Sequence, residues 1–167
     1  MSIYPAGAER GERQKAINKT VHEIRSILSD GEPSIYLYGS SVLDDFRLGW
    51  SDIDILVLTD RQISEEQAQK LVKLRQTMLG KEPDNPYYRS LEGSMLTLNA
   101  FLSKSSDRVV YWGTSGERIT DTCVFDSFGM AELVENSVLL YGSDIRSQLN
   151  GLWKIICVRF PMRLKLL

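Results

Sequence analysis

An α/β fold is predicted by three observations. Two short apolar runs, Ile35–Tyr38 and Ile53–Leu58, have the length and composition of strands. Two longer stretches, Arg13 to Leu28 and Ser64 to Gly80, place their apolar residues on one helical face. The two kinds alternate along the chain, and a further strand-like run begins at Leu91, the pattern of helices laid against a sheet. At 167 residues, 43% hydrophobic and 25% charged, the chain suits one domain with a substantial core.

Met1 to Gly11 contains Pro5 and two glycines and is expected to fray. Between Arg13 and Leu28, Ile17, Val21, Ile24 and Leu28 recur at helical spacing, so an amphipathic helix should cover the sheet. His22, the only histidine, lies beside that face at the surface, which argues against a Ser-His-Asp triad or a His-rich zinc site. Asp30-Gly31-Glu32-Pro33 ends the helix and turns into the first strand. Ser41 to Phe46 reads as one short helix and Arg47 to Ser51 as a loop, with Trp50 packed at its base.

After the second strand, Ser64 and Gln67 form the S-x-x-Q version of a capping box. Ala68, Leu71, Val72, Arg75, Met78 and Leu79 outline the stripe of the helix they open, and Gly80 stops it. Lys81 to Ser90 is a polar loop, and Leu91 to Leu102 reads as a strand. Ser103 to Asp121 is polar and carries Gly113 and Gly116; Trp112 within it is expected to pack rather than line a cleft. Asp126 or Ser127 caps a helix through about Asn136, with Met130, Leu133 and Val134 inward, and Ser137–Tyr141 is a short extended run ended by Gly142-Ser143-Asp144.

The chemistry concentrates in YLYGSSVLDDFRLGWSDIDILVLTD, Tyr36 to Asp60. Strand residues i and i+2 share a face, so Asp52 and Asp54 stand together, with stems roughly 6–7 Å apart, while Ile53 and Ile55 enter the core. Two carboxylates on one face repel unless a cation lies between them, and Mg²⁺ fits where a phosphate supplies further oxygens. Twelve residues before Asp52, Gly39-Ser40-Ser41 offers that complement: Gly39 lets backbone approach a phosphate, and Ser40 and Ser41 bring hydroxyls. An Asp pair at a strand is often a solvated edge and Gly-Ser a common loop dipeptide, but the two together favour a functional reading. Glu92 is a lone acid in an apolar run, either an exposed edge position or a third carboxylate of the same site.

Gly39-Ser40, a spacer of about ten residues, then Ser51-Asp52-Ile53-Asp54 and an apolar strand resembles the nucleotidyltransferase superfamily that includes DNA polymerase beta. More narrowly, LYGS…SDIDILV resembles the bacterial streptomycin/spectinomycin (aminoglycoside) adenylyltransferases. The resemblance implies a mixed, twisted sheet flanked by helices and transfer of AMP from ATP to a hydroxyl of a small molecule. It implies Mg²⁺ on Asp52 and Asp54, with Ser40 and the Gly39–Ser41 backbone on the nucleotide phosphates. Those enzymes have a strand of the form R-x-L-E whose glutamate is the general base, and Arg89-Ser90-Leu91-Glu92 matches it; Glu92 is carried over as base and as a third carboxylate toward metal.

Net charge is −2, so no overall field attracts nucleic acid, and no uninterrupted apolar run is long enough to span a membrane. Cys123 and Cys157 lack metal-type spacing, and the N-terminal stretch lacks a signal-peptide core; a cytoplasmic location is expected. The expected division is residues 1–145 as the nucleotidyltransferase domain and 146–167 as a basic, apolar tail. After Asp144 there is no acid, only Arg146, Lys154, Arg159, Arg163 and Lys165 among apolar residues. That tail reads as a terminal helix docked on the acidic core, as a basic amphipathic segment facing a partner or a membrane, or as the truncated start of the helical domain that follows in the antibiotic enzymes, and it could serve a homodimer or a helical partner. Two other readings keep the fold: a minimal nucleotidyltransferase antitoxin that adenylylates a protein, and an inactive nucleotide-binding remnant.

Overall fold

In a computed structural model, residues 6–105, 107–121 and 127–148 are described. They build α1 (Ala6–Ile27), β1 (Ser34–Tyr38), β2 (Ile53–Thr59), α2 (Glu65–Lys81), β3 (Leu91–Thr97), α3 (Leu98–Ser103), β4 (Val109–Trp112), β5 (Arg118–Thr120), α4 (Ser127–Asn136) and β6 (Val138–Tyr141). The six strands form one sheet in the order β5-β4-β3-β2-β1-β6. Only β2 and β3 run parallel, and α2 makes the crossover that a parallel pair requires. The α/β expectation holds: the sheet is mixed and flanked by helices.

The strand period sorts the core into two sides. Ile53, Ile55 and Val57 of β2 join Leu91 and Met95 of β3 beneath α1 and α2, where Ile17, Val21, Ile24, Leu71 and Met78 are buried. Tyr36, Leu56, Leu58 and Leu96 face the other way, against Ala100 and Phe101 of α3 and Met130 and Leu133 of α4. The capping box forms in both directions: Ser64 Oγ accepts from the Gln67 N–H, and the Gln67 side chain accepts from the Ser64 N–H. Trp112 is fully buried and donates its indole N–H to the Leu71 carbonyl, the packing role expected of it.

Several expectations are corrected. Helix α1 begins at Ala6, not Arg13. Arg10, Gly11 and Glu12 in the added turns are exposed and the turns carry no apolar stripe, but Glu12 and Lys15 pair at helical spacing. Ser41 to Phe46 is not a helix: a 3-10 turn covers only Gly39–Ser41, and Asp44 at φ 61° breaks any continuation. Trp50 does not pack; it is 91% exposed on a tight turn closed by its N–H to the Arg47 carbonyl. The strand from Leu91 stops at Thr97, whose hydroxyl accepts from the Ala100 N–H and starts α3. The polar stretch before Asp121 holds the β4–β5 hairpin. Helix α2 runs one residue past Gly80.

Among the described residues no helix is long and apolar enough to cross a membrane. Cys123, Cys157, Asp126 as a cap and the tail from residue 149 lie outside the described residues.

Candidate active site

Strand register brings two of the three acids side by side. In the parallel ladder Asp54 of β2 lies directly opposite Glu92 of β3, and on its other side Asp54 lies opposite Tyr38, the last residue of β1. β1 therefore delivers the Gly39–Ser41 turn to the edge where β2 and β3 begin. Glu92 is not on a sheet edge: β3 has a strand on each side, so the edge explanation for its charge falls away. Asp52 sits one residue before β2 and is exposed, whereas Asp54 and Glu92 are half-buried.

The electrostatics follow from that crowding. Burial first, then the charges of Asp52 and Glu92, push the Asp54 carboxyl up to about 6. Among the described residues no cation relieves it: burial, Asp52 and Glu92 all act against the carboxylate. Asp54 also leans on the turn. At Gly39, φ 68°, an added Cβ would lie 2.5 Å from Asp54 Oδ2, so glycine is needed both for the backbone angle and for the approach. Ser40 Oγ makes only a long contact, 3.4 Å, to the Asp52 carbonyl. Ser41 Oγ is buried and finds no hydrogen-bond partner among the described residues. A buried hydroxyl left unmatched is costly, and here it lies in the turn that Asp54 leans on.

Among the described residues no three His, Cys, Asp or Glu side chains form a ready-made metal cage. Asp52 and Asp54 alone still fit Mg²⁺, which is commonly held by one or two carboxylates plus waters and substrate phosphates. Glu92 Oε1 accepts from the Tyr111 hydroxyl at 2.8 Å.

Two residues that sequence reading did not place in the site support it. Tyr111 on β4 is one. Its signal was the β-rich run Val109-Val110-Tyr111-Trp112, which alternates faces. Arg75 on α2 is the other, given above only as part of a helix stripe. Its partly buried guanidinium pairs with Glu117 and donates to the carbonyls of Leu91 (2.7 Å) and Gly113 (3.2 Å), tying the residue before Glu92 to the β4–β5 turn.

Residues 17–92 match the family model for the nucleotidyltransferase domain. The matched stretch begins in α1 and ends on Glu92, so it contains Gly39, Ser40, Ser41, Asp52 and Asp54 as well. The match supports the nucleotidyltransferase superfamily and nucleotidyl transfer as the general activity, and the mixed sheet flanked by helices agrees with that fold. No curated protein matches the chain.

Proposed function

We propose that the chain is a magnesium-dependent adenylyltransferase that moves AMP from ATP to a hydroxyl of a small molecule of the aminoglycoside type. The observation that carries this reading is the pairing of Asp54 with Glu92 beside the Gly39–Ser41 turn. Asp52 and Asp54 would hold the ion, which would supply positive charge to offset the negative charge that develops on the departing pyrophosphate. Gly39, Ser40 and Ser41 take the outer phosphates, and Ser41 Oγ gains the partner it lacks. Glu92 accepts the proton of the acceptor hydroxyl as its oxygen bonds to the α-phosphorus. The bond from that phosphorus to the bridging oxygen breaks, and pyrophosphate leaves with the electron pair.

The choice of acceptor rests on the likeness of Arg89-Ser90-Leu91-Glu92 to the antibiotic enzymes. The test is ATP labelled at the α-phosphate, offered with streptomycin, spectinomycin or cell lysate. Label on an antibiotic is the expected result. Label on a protein alone would replace the acceptor and favour the antitoxin-like reading. No label on any acceptor, with no Mg²⁺-dependent ATP binding by calorimetry, would overturn the activity.

A further inference from the structure

We propose that Tyr111 is a positioning residue that holds Glu92 as proton acceptor and keeps its carboxylate out of the coordination sphere of an ion on Asp52 and Asp54. The inference rests on the adenylyl-transfer reading for the role of Glu92, and on geometry for the rest.

Tyr111 pairs with Ser94 across the antiparallel β3–β4 ladder, and Ser94 lies two residues after Glu92. Alternation therefore puts Tyr111, Glu92 and Asp54 on one face of the sheet. The Tyr111 hydroxyl donates to Glu92 Oε1 at 2.8 Å, which leaves Oε2 to take a proton. A glutamate beside two aspartates would otherwise turn toward any cation they hold, since each further carboxylate oxygen replaces a water on it.

The donor is fixed from three directions. The Arg118 guanidinium lies over the Tyr111 ring, 4.3 Å from its centroid, and is itself steadied by Ser115 Oγ at 2.7 Å. The ring rests on Gly113, where any Cβ would come 2.2 Å from the tyrosine oxygen. Arg75 then grips the carbonyls of both Gly113 and Leu91, so the floor under Tyr111 and the strand carrying Glu92 share one clamp. A tyrosine bonded to a carboxylate can be mere packing, so the test must read something packing does not move.

Mn²⁺, followed by electron paramagnetic resonance in the full chain without nucleotide, serves as the probe ion. In Tyr111→Phe, Mn²⁺ should bind about tenfold tighter, and the gain should vanish in the Tyr111→Phe/Glu92→Gln double variant. With Tyr111 intact, Glu92→Gln should bind Mn²⁺ within about twofold of the parent. In the transfer assay, Tyr111→Phe should lose about 10–100-fold in kcat with the KM for ATP little changed. Equal Mn²⁺ affinity in the parent and Tyr111→Phe overturns the proposal, and so does a tenfold loss in Glu92→Gln, which would make Glu92 a ligand already. An unchanged kcat overturns it too. If the parent transfers AMP to nothing, the adenylyl-transfer reading fails by itself, and the Mn²⁺ comparison still decides whether Tyr111 holds Glu92 away from the ion.

Discussion

The tripeptide Tyr-Gly-Ser occurs twice, each time at the end of a strand: Tyr38-Gly39-Ser40 after β1 and Tyr141-Gly142-Ser143 after β6. Both glycines have positive φ, 68° and 88°. The strands are antiparallel neighbours, so the two turns lie at opposite ends of the sheet. They differ in where their polar atoms go. The Ser143 carbonyl accepts from Ser34 Oγ at 2.7 Å. The buried Tyr36 hydroxyl accepts from the Ile145 N–H at 2.8 Å and donates to Asp144. Asp144 holds Arg146, which also reaches the Ser137 carbonyl. The second turn is a fastening with its bonds closed. The first leaves Ser41 Oγ unmatched and packs an uncompensated carboxylate against its glycine. One motif can thus make a clasp or a socket, and the unsatisfied atoms tell which.

The comparison can be broken most directly at Asp54. Asp54→Asn should lower AMP transfer by about 10³-fold or more, because the proposed ion loses a charged ligand, while the melting temperature without metal holds or rises. A variant with parental turnover, or one that unfolds, would remove the distinction between socket and clasp.

The two glycines should then fail in opposite ways. At Gly142 a Cβ would lie 2.3 Å from the Pro33 carbonyl oxygen, and backbone cannot swing aside; Gly142→Ala should cost about 2–4 kcal/mol in urea unfolding while the surviving folded protein keeps its kcat. At Gly39 the obstacle is the end of the Asp54 side chain, which can turn away; Gly39→Ala should cost only about 1–2 kcal/mol yet lower transfer about 10²-fold. A smaller effect is expected for Tyr36→Phe, which strands the Ile145 N–H: a loss of about 1–2 kcal/mol with unchanged kinetics.

The smallest effect, and the one that separates the turns by sign, is pH. Asp54 is raised to about 6 by burial, Asp52 and Glu92, so the folded chain binds a proton more tightly than the unfolded one. Its contribution is fully present below about pH 4 and is lost as pH rises through about 6, so metal-free protein should melt lower at pH 7 than at pH 5 by this term. Asp144 is lowered to about 2, chiefly by its hydrogen bonds from Arg146, so its contribution is present above about pH 4 and is lost as pH falls through about 2. Thermal melts of Asp54→Asn and Asp144→Asn across pH 2–8 check both: the first should flatten the slope between pH 4 and 6, the second the slope below 4.

What was legible depended on local signals. The alternation of Asp52-Ile53-Asp54-Ile55 placed the acids opposite the core, and Ser64 with Gln67 announced α2, because each is settled within a few residues. The passage from β3 to α3 was not legible: Met95, Leu96, Leu98 and Phe101 are apolar on both sides of it, and only the Thr97 hydroxyl marks the change. The β4–β5 hairpin has strands of four and three residues, too short to show a period. Trp50, placed by the sequence at the base of the Arg47–Ser51 loop, stands exposed instead, because a lone aromatic in a loop carries no periodicity that fixes its side. The registry of Asp54 with Glu92 is non-local, and no window of sequence contains it.

That registry has a consequence for the order of assembly. The hairpin of β1 and β2 can close early, since its strands are near in sequence. The second half of the candidate site waits until the chain has wound α2 and returned along β3, a loop closure that must precede its reward. A nascent or partly unfolded chain would therefore expose the Gly39 turn and the aspartates without their glutamate. The complete carboxylate cluster would arrive as one of the later events of folding and would be among the first features lost when the central strands part.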